Sequence, residues 1–196
     1  MTAPQLESLS SIRVRREIFR KSLHLPGLLV PVAARYSLAL TLSVLTALCL
    51  LYLLSESFRL KQKNTLPVFG PLGAALTRST DLDWAPVMLA IGLGAAALLF
   101  PFRAAMAGTI LVCVSDGMAA IVGMSWGERR WPWSNKTYLG STMFLASALL
   151  FLPALISWKS SLLIALGATM IESLSAKGID NLLLPIFGAW LAAYFL

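Results

Sequence analysis

Residues 104–127 read AAMAGTILVCVSDGMAAIVGMSWG, apolar or small throughout, with a single charge, Asp116, near the middle. A helix needs about 20 apolar residues to cross the hydrocarbon core of a bilayer, and this stretch is long enough. A carboxylate at such a depth costs about 2.5–3.5 kcal/mol on insertion scales, so by default it marks a functional position. The alternative is a hydrogen bond between helices, the polar glue that membrane proteins also use. Either reading requires the rest of the chain to be membrane material.

The composition says that it is. Of 196 residues, 58% are hydrophobic and 13% charged, and the mean hydropathy is +0.77. An ordinary soluble domain carries about 25% charged residues, so a soluble globular fold is excluded. Intrinsic disorder, which needs low hydrophobicity and high charge, is excluded too. Residues 36–55, 84–102 and 137–158 carry no charge at all. The shorter stretches 22–34, 160–176 (interrupted by Glu172) and 181–196 nearly span once flanking side chains snorkel or the bilayer thins. The expected fold is all-α, a polytopic integral membrane helical bundle of about seven hydrophobic segments. Residues 1–21 form an amphipathic, basic, cytoplasmic amino-terminal segment, and residues 22–196 a single transmembrane domain. Segment 22–34 is the weakest, because Pro26, Gly27 and Pro31 interrupt it and let it merely dip into the bilayer. Its long basic approach reads against a cleaved signal peptide.

Charge placement tests the count. With the amino terminus inside and seven spans, 13 of the 16 Lys and Arg fall on the cytoplasmic side. They are Arg13, Arg15, Arg16, Arg20 and Lys21, then Arg59, Lys61, Lys63 and Arg78, then Arg129, Arg130 and Lys136, then Lys177. Only Arg35, Arg103 and Lys159 lie outside. That is the bias the positive-inside rule predicts, and it assigns the net charge of +7 to membrane orientation, with no nucleic-acid partner implied. Every polar connection of any length then faces the cytosol. Cys49 and Cys113 lie within apolar runs and read as small core hydrophobes without a disulfide or metal role.

The polar residues in or beside the spans are few. Glu172 lies in the cytoplasmic half of the sixth segment, and Asp180-Asn181 opens the seventh, as a helix cap, a ligand or both. Glu17, Arg20, Lys21 and His24 occupy positions i, i+3, i+4 and i+7, one face of a helix. For residues 13–21 alone, a solvated or headgroup-facing stripe is the better reading, and His24 at the membrane boundary tips the set toward a site. The third inner connection runs from Gly127 through Asn135-Lys136-Thr137 to Gly140-Ser141 at the next helix start. A lysine, hydroxyls and a glycine at a helix amino terminus suit an anion, because free N–H groups and the helix dipole face it. Gly123 and Gly127 read as close helix packing, as do Gly92 and Gly94. No Walker-type loop, G-x-G-x-x-G, H-E-x-x-H or Cys–His zinc spacing is present.

In chain order, Glu17-x-x-Arg20-Lys21-x-x-His24, Glu56-x-x-Arg59, Ser115-Asp116-Gly117-x-Ala119, Asn135-Lys136-Thr137-x-x-Gly140-Ser141, Glu172-Ser173 and Asp180-Asn181-Leu182 resemble the motifs of the CTP-dependent lipid-alcohol kinases. That family includes dolichol kinase, phytol kinase and the fungal CTP-using diacylglycerol kinase. The chain departs from it at Ile179, where the family often has a second acid, and after Arg78. The resemblance makes residues 22–196 a catalytic domain that transfers the terminal phosphate of CTP to a polyprenol, phytol-like alcohol or diacylglycerol.

Phosphoryl transfer needs metal, cations and a positioned hydroxyl. On the resemblance, Asp116, Glu172 and Asp180 bind Mg²⁺, and Lys136 with Asn135, Thr137, Gly140, Ser141 and Asn181 holds the nucleotide. Arg20, Lys21 and His24 complete a cationic wall, and His24 or a carboxylate takes the alcohol proton. Asp116, His24 and Lys136 are thus the expected catalytic residues. The resemblance implies membrane lipid as surroundings, a prokaryotic cytoplasmic membrane (endoplasmic reticulum or plastid membrane in a eukaryote), and leaves a homodimer open. A phosphatidate cytidylyltransferase-like enzyme and a small ion-coupled transporter are the competing readings.

Overall fold

The computed structural model describes residues 14–62, 82–175 and 178–196, apart from the side chains of residues 59, 61 and 62. Arg13, Lys63, Arg78 and Lys177, placed on the cytoplasmic side from the sequence, lie outside those residues. The described residues are helical, with no strand beyond an isolated antiparallel bridge between Arg130 and Thr137. Helical residues 14–22 (α1) lead into a 3₁₀ turn, Leu25–Leu28, and then α2, Leu29–Tyr36. There follow α3 (Leu38–Gln62), α4 (Ala85–Leu99), α5 (Phe102–Trp126), α6 (Tyr138–Phe151), α7 (Trp158–Leu174) and α8 (Asp180–Phe195).

Each hydrophobic stretch read from the sequence is helical, and local chemistry sets the ends. Pro86 opens α4, and the extended Phe100-Pro101 pair separates it from α5. Thr137 and Ser157 cap α6 and α7 through their side chains. Gly178, at φ +84°, turns the chain toward α8 in a conformation that a side chain would strain. Segment 22–34 is broken where Pro26 and Gly27 sit in the 3₁₀ turn. At 8 residues, α2 is about 12 Å long and does not cross a bilayer by itself.

Two helices are long and apolar enough to cross a membrane, Leu38–Phe58 and Phe102–Trp126, and three shorter ones are apolar. The two long ones occupy different places. The apolar window of α5 is 61% buried, whereas that of α3 is 6% buried. Leu40, Leu48 and Leu54 of α3 are more than half exposed, a surface that suits lipid tails and not water. The helix α8 packs against α4, α7 and the first half of α5, while α6 packs against α7 and the second half of α5.

Small residues let these helices approach closely. At the α5–α8 crossing, Gly108 and Gly188 face each other, and a methyl on Gly108 would run into the Pro185 carbonyl oxygen. Gly123 meets Thr137 and Gly140 at the α5–α6 crossing, so packing is the use the fold makes of it. Gly108→Ala is therefore expected to cost about 1–3 kcal/mol, by overpacking against backbone that has nowhere to move. Gly94→Ala, whose methyl would meet only Leu42 and Leu45 side chains at 3.4 and 3.6 Å, is expected to be tolerated. Thermal unfolding of the two detergent-purified variants checks the contrast.

Candidate functional site

Asp116 begins the second half of α5, directly after a π-helical stretch, Leu111–Ser115. A π-bulge inserts an extra residue into the helical turn and rotates the residues after it, a device common at functional sites. Asp116 is 1% exposed and carries two ionic partners. The Lys21 ammonium at the end of α1 donates to Oδ2, and Lys136 Nζ lies 3.5 Å from Oδ1.

Lys136 gathers the rest. Its Nζ is 2.9 Å from Glu172 Oε1 and donates to Asp180 Oδ2 at 2.8 Å. Carboxylates from α5, α7 and α8 thus converge on one ammonium supplied by the α5–α6 loop. Burial by itself would lower the Lys136 pKa, but Asp116, Asp180 and Glu172 outweigh it and hold the group above the ordinary lysine range. Lys136 is therefore charged throughout the physiological range. Among these five groups, three carboxylates face two ammoniums, a surplus of one negative charge in an apolar bundle.

A hydroxyl relay braces the same cluster. Ser141 Oγ accepts from the Trp131 indole Nε1–H at 3.0 Å and donates to Glu172 Oε2 at 2.9 Å. A serine hydroxyl has one hydrogen, so Trp131 leaves it aimed at Glu172. Trp131 also stacks on Trp133, ring centroids 4.9 Å apart, and on Tyr138 at 4.0 Å. Sequence reasoning missed Trp131: it lies ten residues before Ser141, in a loop whose shape follows from the Arg130–Thr137 bridge.

The other residues singled out from the sequence divide into two groups. Glu17, Lys21 and His24 are buried, so that face of α1 is not a solvated stripe, while Arg15 and Arg16 are exposed. Arg20 donates to Glu17 at 2.5 Å. Arg20 Nε, His24 Nδ1 and Ser115 Oγ are buried without a hydrogen-bond partner among the described residues. His24 lies close enough to Asp116 and Lys21 to feel both charges. Asp180 is the first residue of α8 and not its cap, which is Ile179; its Oδ1 accepts from the Asn181 N–H while Oδ2 meets Lys136.

The remaining positions stand apart from the charge cluster. Thr137 and Gly140 serve the helix start, where Thr137 Oγ1 accepts from the Gly140 N–H at 3.0 Å. That N–H is consequently not free for an anion. Asn181 Nδ2 donates to the Ala85 carbonyl at 3.1 Å, tying α8 to α4. Asn135 is exposed on the loop, and Glu56 is buried on α3. Cys49 and Cys113 are free thiols.

For a metal, the donor chemistry fits: three carboxylates within 3.5 Å of one cationic nitrogen are hard oxygen ligands with a net charge that calls for a cation. In the present arrangement Lys136 is the cation they share. Among the described residues, no three His, Cys, Asp or Glu side chains are already disposed around one ion position.

The chain is similar to a phytol kinase. Against the phytol kinase of Synechocystis sp. it is 36% identical over 118 residues, covering 53% of this chain and 50% of that protein. The chain thus spans about half the length of the curated relative it matches. This similarity supports the lipid-alcohol kinase resemblance carried by the motifs. No family model and no solved structure matches the chain.

Lys21 and Asp116 form a buried pair, 6% and 1% exposed at the side chain. Removing one member strands the other, so Lys21→Met is expected to destabilise by about 3–5 kcal/mol. The double variant Lys21→Met/Asp116→Leu, which removes both charges, is expected to lose less than the sum of the two single variants. Detergent-phase unfolding of the four proteins measures that coupling.

Proposed function

We propose that this protein is a multi-pass membrane kinase that transfers the terminal phosphate of CTP to the hydroxyl of a lipid alcohol at the cytoplasmic face. The convergence of Lys21, Asp116, Lys136, Glu172 and Asp180 carries the reading. Structural charge pairs inside an apolar bundle need one partner each. Here carboxylates from three helices meet on a single loop lysine, a cation placed over a surplus of negative charge. CTP as the donor comes from the family resemblance, and a lipid alcohol as acceptor from that resemblance and the phytol kinase similarity.

In this mechanism Asp116, Glu172 and Asp180 would hold Mg²⁺, which would supply positive charge to offset that of the phosphates. Lys136, released from the carboxylates, turns to the triphosphate. Trp131 and Ser141 keep Glu172 oriented while Lys136 moves. Arg20 Nε and His24 Nδ1, buried without partners among the described residues, offer polar contacts that a substrate completes. The alcohol oxygen forms a bond to the terminal phosphorus as the bond to the bridging oxygen breaks. CDP leaves, and the hydroxyl proton passes to His24 or a carboxylate. The acceptor's chain stays in the bilayer throughout, which accounts for carboxylates placed among apolar helices.

The test is phosphate transfer by detergent-purified protein with Mg²⁺, offering CTP or ATP labelled at the terminal phosphate against phytol, farnesol, a long polyprenol and diacylglycerol. The expected result is label in a lipid alcohol from CTP, with Asp116→Asn reducing turnover about 100-fold or more. Turnover within a few-fold of wild type in Asp116→Asn would refute the metal assignment. Transfer of CMP to phosphatidate would move the reaction to a cytidylyltransferase. Silence in both assays would leave Asp116 and Glu172 as ion-pathway residues.

A further inference from the structure

We propose that a groove between the turn at residues 23–30, α3 and α4 seats the first stretch of the acceptor's hydrocarbon chain, one chain at a time. The proposal rests on the kinase reading above and adds the place and size of the lipid subsite. The groove has a volume of about 250 Å³. Leu23 and Gly27 line it from the turn, Cys49 and Tyr52 from α3, and Val87 and Ala90 from α4. The Tyr52 hydroxyl is turned away to the Asp83 carbonyl, 2.7 Å distant, tying α3 to the chain just before α4.

Three observations select a lipid-alcohol chain as the occupant. The groove adjoins the polar site along the chain, because the turn that supplies Leu23 and Gly27 also carries His24, three residues after Lys21, the partner of Asp116. His24 is 6% exposed, and its Nδ1 has no partner among the described residues, so the turn that walls the groove also carries an unmet hydrogen-bonding atom. The outer wall is α3, whose apolar window is only 6% buried, so an occupant reaches the groove sideways from the bilayer.

Size narrows the choice further. One turn of a helix, about 10–12 Å across with its side chains and about 5.4 Å long, takes up more than the groove's 250 Å³. The volume also falls below the roughly 300–1,000 Å³ that enclose a whole small ligand. One chain enters, and only its proximal part is held. Tolerance to total chain length and sensitivity to bulk near the hydroxyl are the consequences.

Photolabelling tests the assignment in the intact protein, reconstituted in phosphatidylglycerol nanodiscs. The probe is a prenyl alcohol carrying a diazirine within its first two isoprene units, with labelled peptides mapped by mass spectrometry. Labelling is expected in residues 45–52 or 86–93, displaced by excess phytol and not by added phosphatidylglycerol. Ala90→Phe is expected to reduce this labelling and to raise the KM for phytol about tenfold relative to that for CTP, the loss of roughly two buried methylenes. Cys49→Phe, filling the groove from the opposite wall, repeats the test where Ala90→Phe does not fold.

Labelling confined to other helices, or displaced equally by phosphatidylglycerol, would overturn the subsite. So would an unchanged KM ratio in both variants. Phosphate transfer together with labelling elsewhere would remove the groove and leave the kinase reading intact. Phytol-displaceable labelling in the groove without any transfer would support the groove and remove the kinase reading.

Discussion

The ammonium of Lys136, held by Asp116, Glu172 and Asp180, is the contact on which the site depends. Charges in a low-dielectric bundle stay ionised only when paired, and three carboxylates on separate helices would otherwise repel. One loop lysine reconciles them, with Lys21 binding Asp116 from α1. The helices carrying these acids are thereby fixed relative to one another at one end of the bundle. At the α5–α8 crossing Gly108 with Gly188 brings two of these backbones close, and Gly123 with Gly140 does the same between α5 and α6, the helix that follows the Lys136 loop.

That arrangement also stores a preference. With two ammoniums against three carboxylates, the cluster has room for further positive charge, and a divalent ion would release Lys136 for an anionic partner. The structure shows this lysine as an internal counterion, and the proposed mechanism gives it a second state, as a ligand for phosphate. A hydroxyl braced by Trp131 maintains Glu172 through the exchange, because the Ser141–Glu172 bond does not involve Lys136. Lys136 stands on a loop, its side chain 27% exposed, whereas the carboxylates it meets are buried on helices.

Much of this was legible in the sequence. Apolar length gave the helices, Pro26 and Gly27 gave the break in segment 22–34, and the few acids in or beside apolar runs gave Asp116, Glu172 and Asp180. Three things were not. The π-helical stretch before Asp116 has no sequence signature in Leu111–Ser115, since a one-residue bulge is decided by what α5 packs against. The burial of Glu17 and Lys21 was hidden because a basic amphipathic stripe looks alike whether it faces water or a buried acid 95 residues away. Trp131 was hidden for a similar reason, its partner being set by a loop bridge and not by helical spacing.

The residues expected at the nucleotide show how spacing misleads where geometry is local. Asn135, Lys136, Thr137, Gly140 and Ser141 look like one anion-binding string, yet the fold sends them in four directions. Lys136 joins the carboxylates, Ser141 braces Glu172, Asn135 faces outward, and Thr137 closes on the Gly140 N–H. A helix start capped by its own threonine has one fewer donor for phosphate, so cationic side chains must carry more of that binding. In the proposed mechanism Lys136 and Lys21 are the cations already at the cluster, and Lys21 reaches it from α1. The amino-terminal helix thus touches the charge cluster that the later helices build.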